Sequence, residues 1–277
     1  MLQKSLIQFI VRTFVSTLLT LPAVCGATPG GPSSQVHSAT TQVSSATMHP
    51  HLFDIGAALN GPAAQVYGAT IGEWSARWWQ WALQIPDTQN APNPLVDTTG
   101  ASCGLGQKGP VWFLAGTFYP INYPVERSCE IPQGKSIFFP IANYVWVQTI
   151  YDNPANTVTD FRQCVSGLPP RLDMGCGEGI KPVEGGLSAT LNDVPIIFNF
   201  ASPIVRTQSP VFKVKHWAEP NVFYGLTAAE YKNGGIVSDG FWVMLPPLKR
   251  GNYVLKFRAN DGVSDWQDVT YNLIIRR

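Results

Sequence analysis

The stretch most suited to ligand recognition is "EWSARWWQWAL", which places four tryptophans between residues 74 and 81. An aromatic ring can stack on a flat ligand, such as a sugar ring, when hydrogen-bonding side chains flank it. Trp79 falls outside the stripe formed by the other three tryptophans, and Arg77 and Gln80 are its polar neighbours. Trp79, Arg77 and Gln80 are therefore the predicted ligand-binding residues. Burial of Trp79 beneath a neighbouring loop is the alternative.

An amphipathic helix over residues 71–85 is the element that would position these side chains. The apolar residues recur at the i, i+3, i+4 and i+7 spacing of a helix face that packs on a core; they are Ile71, Trp74, Trp78, Trp81 and Ile85. The polar side consists of Glu73, Arg77, Gln80 and Gln84. Three of the four tryptophans are thus predicted to be core residues.

No catalytic residue stands out. The G-x-S-x-G motif of a serine nucleophile is absent, and His216, the one histidine beyond residue 51, is expected in the core or at a strand end. A glycosidase needs two carboxylates about 5 to 10 Å apart. The candidate carboxylates, of which no spacing singles out a pair, are Glu73, Asp97, Glu126 and Asp239. The catalytic residues therefore stay unknown, and the sequence favours a protein that is not an enzyme.

Motifs for metals and cofactors are also lacking. His49 and His51 end a linker-like segment, where histidines are usually solvated. Two groups of oxygen ligands, within 152–160 and 261–268, match no calcium loop, and turns rich in Asp and Asn explain both. No phosphate loop, dinucleotide fingerprint or haem motif occurs. We expect neither a metal nor a cofactor.

The N-terminal 27 residues are typical of an export signal. Lys4 and Arg12 precede an apolar run, which ends in the small residues Cys25-Gly26-Ala27. A lipoprotein acylated at Cys25 is the alternative. Residues 28–52 are rich in Ser, Thr and Pro and are predicted to be a flexible tether. The folded domain is expected over 53–277, without a transmembrane segment in the mature chain. These features predict a secreted or periplasmic protein.

Four cysteines follow the signal, and an even number in an exported chain argues for two disulfides. They are Cys103, Cys129, Cys164 and Cys176. Three pairings are possible; pairing sequence neighbours, Cys103 with Cys129 and Cys164 with Cys176, is favoured because they meet most easily. No spacing resembles a zinc site.

Charge is sparse and balanced, with 19 basic and 18 acidic residues and only 13% charged residues in total. The chain has no basic stripe, which counts against nucleic acid as a partner. Aromatic residues make up 12% of the chain, which also contains 25 glycines and 23 prolines. This composition is typical of a rigid, loop-rich β protein.

After the helix, short apolar runs broken by Gly, Pro and Asn predict strands. They lie at 110–116, 136–147, 187–191, 194–200 and 211–217. Near the C-terminus, "FWVML", "YVLKF" and "VTYNLII" alternate with period two, which predicts an antiparallel meander with one buried face. A long loop, pinned by the second cysteine pair, is expected over 152–186. The predicted fold is mainly β with one N-terminal helix: an antiparallel β-sandwich stabilised by disulfides.

The motifs "WWQWALQIP", "GPVWFLAG" and "RSCEIPQGKSIFFPI" occur in that order, and together they resemble an uncharacterised family of exported bacterial proteins. The resemblance covers about residues 74–143, and a weaker similarity extends to "SDGFWVMLPPLKRGNYVLKF". It implies export and a shared fold, and it supplies no catalytic residues.

The leading functional hypothesis is an exported protein of the cell envelope or medium that binds a ligand, most plausibly carbohydrate, through aromatic residues. The aromatic excess, the low charge and the lack of a catalytic set support it. One alternative is a secreted hydrolase of glycans or related polymers that uses paired carboxylates. Another is a structural or partner-binding envelope protein, which would expose a sizeable apolar patch.

Overall fold

The computed structural model describes residues 65–118, 124–167, 171–174, 176, 179, 185–196, 206–223, 225–231, 234–260, 262 and 265–277. The predicted export signal (1–27), the tether (28–52) and the expected start of the domain at residue 53 lie outside the described residues.

The described chain is mainly β, with few and short helices. In chain order the elements are β1 (Gln65–Val66), β2 (Ala69–Thr70), α1 (Ile71–Leu83), β3 (Val111–Phe113), β4 (Val125–Pro132), β5 (Ser136–Val147), α2 (Val158–Ser166), a 3-10 turn (Leu172–Met174), β6 (Leu187–Leu191), β7 (Val194–Pro195), β8 (Arg206–Gln208), α3 (Ala228–Tyr231), β9 (Ile236–Leu245), β10 (Gly251–Asn260) and β11 (Asp265–Arg276).

Two large sheets contain most of the strands, and β1 and β2 form a separate short ladder. One sheet has the order β4-β11-β10-β6-β7 and the other has the order β3-β5-β9-β8. The prediction of antiparallel pairing is wrong for one pair in each sheet: β4 is parallel to β11, and β3 is parallel to β5. Period-two alternation identifies a half-buried strand but does not determine which neighbour it pairs with or in which direction.

The predicted meander is also wrong, because its three strands are divided between the sheets. β10 and β11 form an antiparallel hairpin, whereas β9 pairs with β5 and β8 in the other sheet. All ten residues of β9 are buried, while β10 has an exposed face that includes Lys256 and Arg258. A strand that is buried on both faces lies between two layers. The alternation of apolar residues in the sequence predicted only one buried face, so it did not indicate this position.

Two main cores lie on opposite faces of the four-stranded sheet. One combines its Ile137, Phe139 and Val243 with residues of the five-stranded sheet such as Leu255 and Leu273. The other combines Phe138, Trp242 and Met244 with the tryptophans of α1. The four-stranded sheet therefore packs on the helix with one face and shares a core with the second sheet on the other.

Helix α1 agrees with the predicted span to within two residues. Thr70 caps its start: the Thr70 hydroxyl accepts from the Glu73 amide at 3.2 Å, and the Glu73 carboxylate accepts from the Thr70 amide at 2.7 Å. At the other end the Asn93 side-chain amide donates to the Ala82 and Ile85 carbonyls at 2.8 and 2.7 Å. The side chain of Asn93 thus donates hydrogen bonds to carbonyls that the helix end would otherwise leave without a partner.

The prediction of a single helix is wrong, because α2 and α3 also form. Helix α2 lies inside the expected loop at 152–186 and begins with a capping box made by Thr157 and Asp160. It ends at Gly167, which has a left-handed φ of 66° and thus the backbone geometry common at helix C-termini. The capping residues and Gly167 can both be read from the sequence. The neighbouring glycines and prolines nevertheless favoured the prediction of a loop.

The predicted strands are confirmed at 136–147 and 187–191, whereas the run at 110–116 shortens to β3. In the run at 194–200, β7 covers two residues, and residues 197–200 lie outside the described chain. Residues 211–217 do not form a strand; Phe212 alone makes an isolated bridge to Ile236. Strand β4 was not predicted. Its inward-facing residues are Val125, Arg127, Cys129 and Ile131.

Both cysteine pairs form as predicted. Cys103 bonds to Cys129 with a Cα–Cα distance of 5.9 Å and ties the loop after α1 to β4. Cys164 bonds to Cys176 with a Cα–Cα distance of 5.2 Å and ties α2 to the segment that follows it.

Candidate functional site

Trp79, the predicted stacking residue, is buried, with 2% of its surface exposed. One side of its indole meets Trp78 edge-on, with ring centroids 5.0 Å apart. Phe223, from the segment before α3, stacks on it at 6.5 Å with an interplanar angle of 25°. The platform prediction fails because a stacking site needs an exposed ring face; the alternative, burial beneath a loop, describes what the structure has.

The other three tryptophans of α1 pack in the core as predicted, and each indole N–H reaches a backbone carbonyl. Trp74 donates to Val66 at 2.8 Å, Trp78 to Leu114 at 2.9 Å and Trp81 to Leu105 at 2.7 Å. A buried indole usually finds such an acceptor. The tryptophan-rich helix is therefore a structural element that anchors β1 and two loops.

Arg77 and Gln80, the predicted partners of Trp79, lie on the outer side of α1. Arg77 is exposed, and its guanidinium lies 4.4 Å from the centre of the Trp74 ring. Gln80 is half-buried and donates to the Lys213 carbonyl at 2.9 Å. These residues share a surface with the segment that follows β8, and the ring of Trp79 is not part of that surface.

The four candidate carboxylates are separated, and each has its own contacts. Exposed Glu73 has a lowered pKa because the Thr70 amide and hydroxyl donate to it. Glu126 is exposed and accepts from the Asn272 side chain at 2.8 Å. Asp239 is buried and pairs with Arg206 at 2.7 Å. No contact among the described residues joins two of the four candidates, Asp97 included.

Asp97 lies in a buried polar cluster around Arg127. Burial opposes ionisation of Asp97, but hydrogen bonds from the Ser102 and Thr99 amides and the Thr99 hydroxyl leave its pKa below the ordinary value. Arg127, which is 1% exposed, donates to the Asp97, Ala115 and Gly116 carbonyls and to the Tyr271 hydroxyl. Burial raises the pKa of Tyr271. The cluster holds the irregular chain after β3 against the five-stranded sheet.

The exposed aromatic that sequence reasoning missed is Tyr151, which follows β5 and has 54% of its surface exposed. Its hydroxyl donates to Glu230 Oε1 at 2.5 Å, and the amide of its neighbour Ile150 donates to the Glu230 carbonyl at 2.9 Å. Glu230 is itself held, because its Oε2 accepts from the Thr227 amide and hydroxyl, both at 3.0 Å. The ring is thus fixed at its hydroxyl end, while about half of the residue's surface is exposed.

Polar residues follow Tyr151 on the turn that continues from it. The Asp152 carboxylate accepts from the Thr149 amide at 2.6 Å, and the side-chain oxygen of Asn153 accepts from the Ala155 amide at 3.0 Å. Asn153 is exposed. An exposed aromatic residue followed by amide and carboxylate side chains is the kind of group that was predicted at Trp79. Sequence could not identify it because Tyr151 belongs to no periodic pattern.

The segment from Val211 to Ala218 runs along α1 and was expected to be a strand. A Cβ at Gly72 would lie 2.6 Å from the Gln208 carbonyl oxygen, Gln80 contacts Lys213, and the Ala218 amide donates to the Leu83 carbonyl at 3.2 Å. His216, expected in the core or at a strand end, is exposed on this segment.

Comparison with known protein families, with curated proteins and with solved structures finds no match. The resemblance to an exported bacterial family therefore stays a prediction.

None of the helices in the described residues is long and apolar enough to cross a bilayer. Across the same ranges, no three His, Cys, Asp or Glu side chains converge where they could hold a metal ion.

Proposed function

We propose that this chain is an exported, non-catalytic β-sandwich protein of the periplasm or medium that binds carbohydrate. The observation that carries the proposal is the exposed and anchored ring of Tyr151. The two disulfides support an oxidising compartment, and the core shared by the two sheets supports the sandwich. The proposed stacking residue is Tyr151, which replaces the buried Trp79.

Tyr151 suits recognition of a sugar because its position is fixed before the ligand arrives. A tyrosine offers a large, rigid and amphipathic contact area and loses little conformational entropy on binding. Its hydrogen bond to Glu230 further restricts the ring. Asn153 on the same turn can supply the hydrogen bonds that orient sugar hydroxyl groups.

A partner-binding envelope protein is the second candidate function. Ile150 and Tyr151, adjacent in sequence, are 49% and 54% exposed, and such side chains together favour contact with an apolar surface. Carbohydrate recognition is preferred because polar side chains follow Tyr151 on the same turn. The hydrolase alternative is not carried forward, since the contacts of the four candidate carboxylates single out no pair.

The test is co-sedimentation of the protein, produced from residue 28 in an oxidising compartment, with peptidoglycan, chitin and cellulose. We expect retention on at least one of them and its loss in Tyr151→Ala. Tyr151→Phe should retain most of the binding, because the ring remains and only the bond to Glu230 is removed.

Tyr67→Ala is the matched control. Tyr67 is likewise exposed, at 49%, and its hydroxyl bonds to Ser136 Oγ at 3.1 Å. Tyr67 contacts the first residue of β5 and Tyr151 follows its last, so the two tyrosines lie at opposite ends of a strand about 35 Å long at about 3.3 Å per residue. Equal retention of the wild type and a folded Tyr151→Ala, or no retention on any polysaccharide, would overturn the proposal.

A further inference from the structure

A row of exposed side chains, containing two lysines, lies on the segment that follows β8. Residues 211–215 alternate between exposed and buried: Val211, Lys213 and Lys215 are exposed, whereas Phe212 and Val214 are buried. Lys213 and Lys215 are therefore two exposed cations separated by a single buried residue, in a segment that bends at Lys215.

This row has an unbalanced positive charge. The sequence from Arg206 to Ala218 contains no acidic residue, and no ion pair within the described chain involves Lys213 or Lys215. Arg206 is already paired with Asp239. The next acidic residue, Glu219, accepts a hydrogen bond from the Ala228 amide at 2.5 Å. Arg77 of α1 is also exposed, but it interacts with the exposed carboxylate of Glu73 and is not counted in this row.

Two sets of contacts join the row to Tyr151. Helix α3 provides one: Glu230 accepts from the Tyr151 hydroxyl, and the next residue, Tyr231, accepts at its hydroxyl from the amide of Val214 at 2.9 Å. Val214 lies between the two lysines. Burial raises the pKa of the Tyr231 hydroxyl, whose oxygen is the acceptor in this link.

The second link passes through Gly235. The Gln148 amide donates to the Gly235 carbonyl, and the Gly235 amide donates to the Gln148 side-chain oxygen, both at 3.0 Å. A Cβ at Gly235 would lie 3.2 Å from Val211 Cγ1. Gln148 is three residues before Tyr151. The start of the row is therefore tied to the chain that presents the aromatic ring.

We propose that the carbohydrate bound at Tyr151 is an anionic glycan, whose carboxylate or phosphate groups contact Lys213 and Lys215. This inference rests on the proposed function and specifies its ligand class. A neutral sugar would gain only hydrogen bonds from the two ammonium groups, whereas a chain with repeated negative charges would also be attracted by their charge. Such exposed charges attract the ligand most strongly at low ionic strength.

Affinity electrophoresis of the full mature chain with polygalacturonate and with its methyl ester tests the inference. The two probes share a backbone, and only the first carries free carboxylates. We expect tighter binding of the acid, with the difference decreasing as NaCl rises. Lys213→Gln with Lys215→Gln should weaken binding of the acid about fivefold at low salt and leave binding of the ester within a factor of about two.

Lys249→Gln with Arg250→Gln is the matched control, since it removes the same charge from exposed positions after the far end of β9. It should leave the affinity for polygalacturonate unchanged. Equal binding of acid and ester, no binding of the acid, or equal weakening by the two double variants overturns the anionic inference. The retention assay with Tyr151→Ala judges carbohydrate binding separately, so the two failures are distinguishable.

Discussion

Trp79 illustrates, at the scale of a residue, how contacts distant in sequence determine exposure. Its ring lies off the apolar stripe of α1, yet Phe223 from a segment more than one hundred residues later covers it. The period of the helix identifies which residues share a face. It does not show what packs against the remaining faces, so the covering segment could not be predicted from the local pattern.

Burial makes Trp79 important for stability. We expect Trp79→Ala to lower the free energy of unfolding by about 3–5 kcal/mol, the usual cost of truncating a large buried aromatic. Denaturant unfolding of both proteins, followed by circular dichroism, measures the difference.

Arg77→Ala serves as the control on the same helix. Arg77 is exposed, and its main described contact is with the Trp74 ring, so its removal should cost no more than about 1 kcal/mol. A Trp79→Ala variant as stable as Arg77→Ala would mean that the indole is on the surface, contrary to the structure.

At the scale of an element, the start of α2 depends on an ionised carboxylate. Asp160 has its pKa lowered from 3.8 to about 2, because the Thr157 amide and hydroxyl donate to it and the Arg171 guanidinium binds it. Because the pKa of Asp160 is lower in the folded state, its ionised carboxylate stabilises the fold at pH values above the pKa of the unfolded chain. That contribution is lost as the pH falls from about 3.8 through about 2.

NMR titration of the Asp160 carboxyl group should therefore give a pKa of about 2 in the wild type. Thr157→Val, which removes the hydroxyl and keeps the backbone amide, should move the pKa part of the way towards 3.8. An unchanged pKa in this variant would show that the side chain of Thr157 does not cap the helix.

The strands show which elements sequence can predict and which it cannot. In β11 the inward residues are Val269, Tyr271, Leu273 and Ile275, all predicted from their alternation and all buried. In β4 the burial alternates just as regularly, but one inward position is Arg127. A cation at a buried position interrupts the hydrophobic pattern. Its burial is possible because carbonyls from distant segments accept its hydrogen bonds.

At the scale of the whole molecule, β9 joins the two cores. Its Trp242 and Met244 contact the helix side, and its Phe241 and Val243 contact the side shared with the five-stranded sheet. The separation of β9 from β10 and β11 could not be predicted, because the alternation in "FWVML" predicts an inward face without specifying the sheet. A strand that belongs to both cores couples them, since neither core is complete without it.

This coupling predicts a single cooperative unfolding transition. Within the described chain, the helix-side core contains Trp74, Trp78, Trp79, Trp81 and Trp242, so tryptophan fluorescence reports mainly on that layer, whereas far-ultraviolet circular dichroism reports mainly on the sheets. With the disulfides intact, the two signals should give coincident denaturant midpoints, as expected of a two-state transition. Loss of the fluorescence signal at a clearly lower denaturant concentration would mean that α1 and its core unfold independently, and β9 would then not transmit stability between the layers.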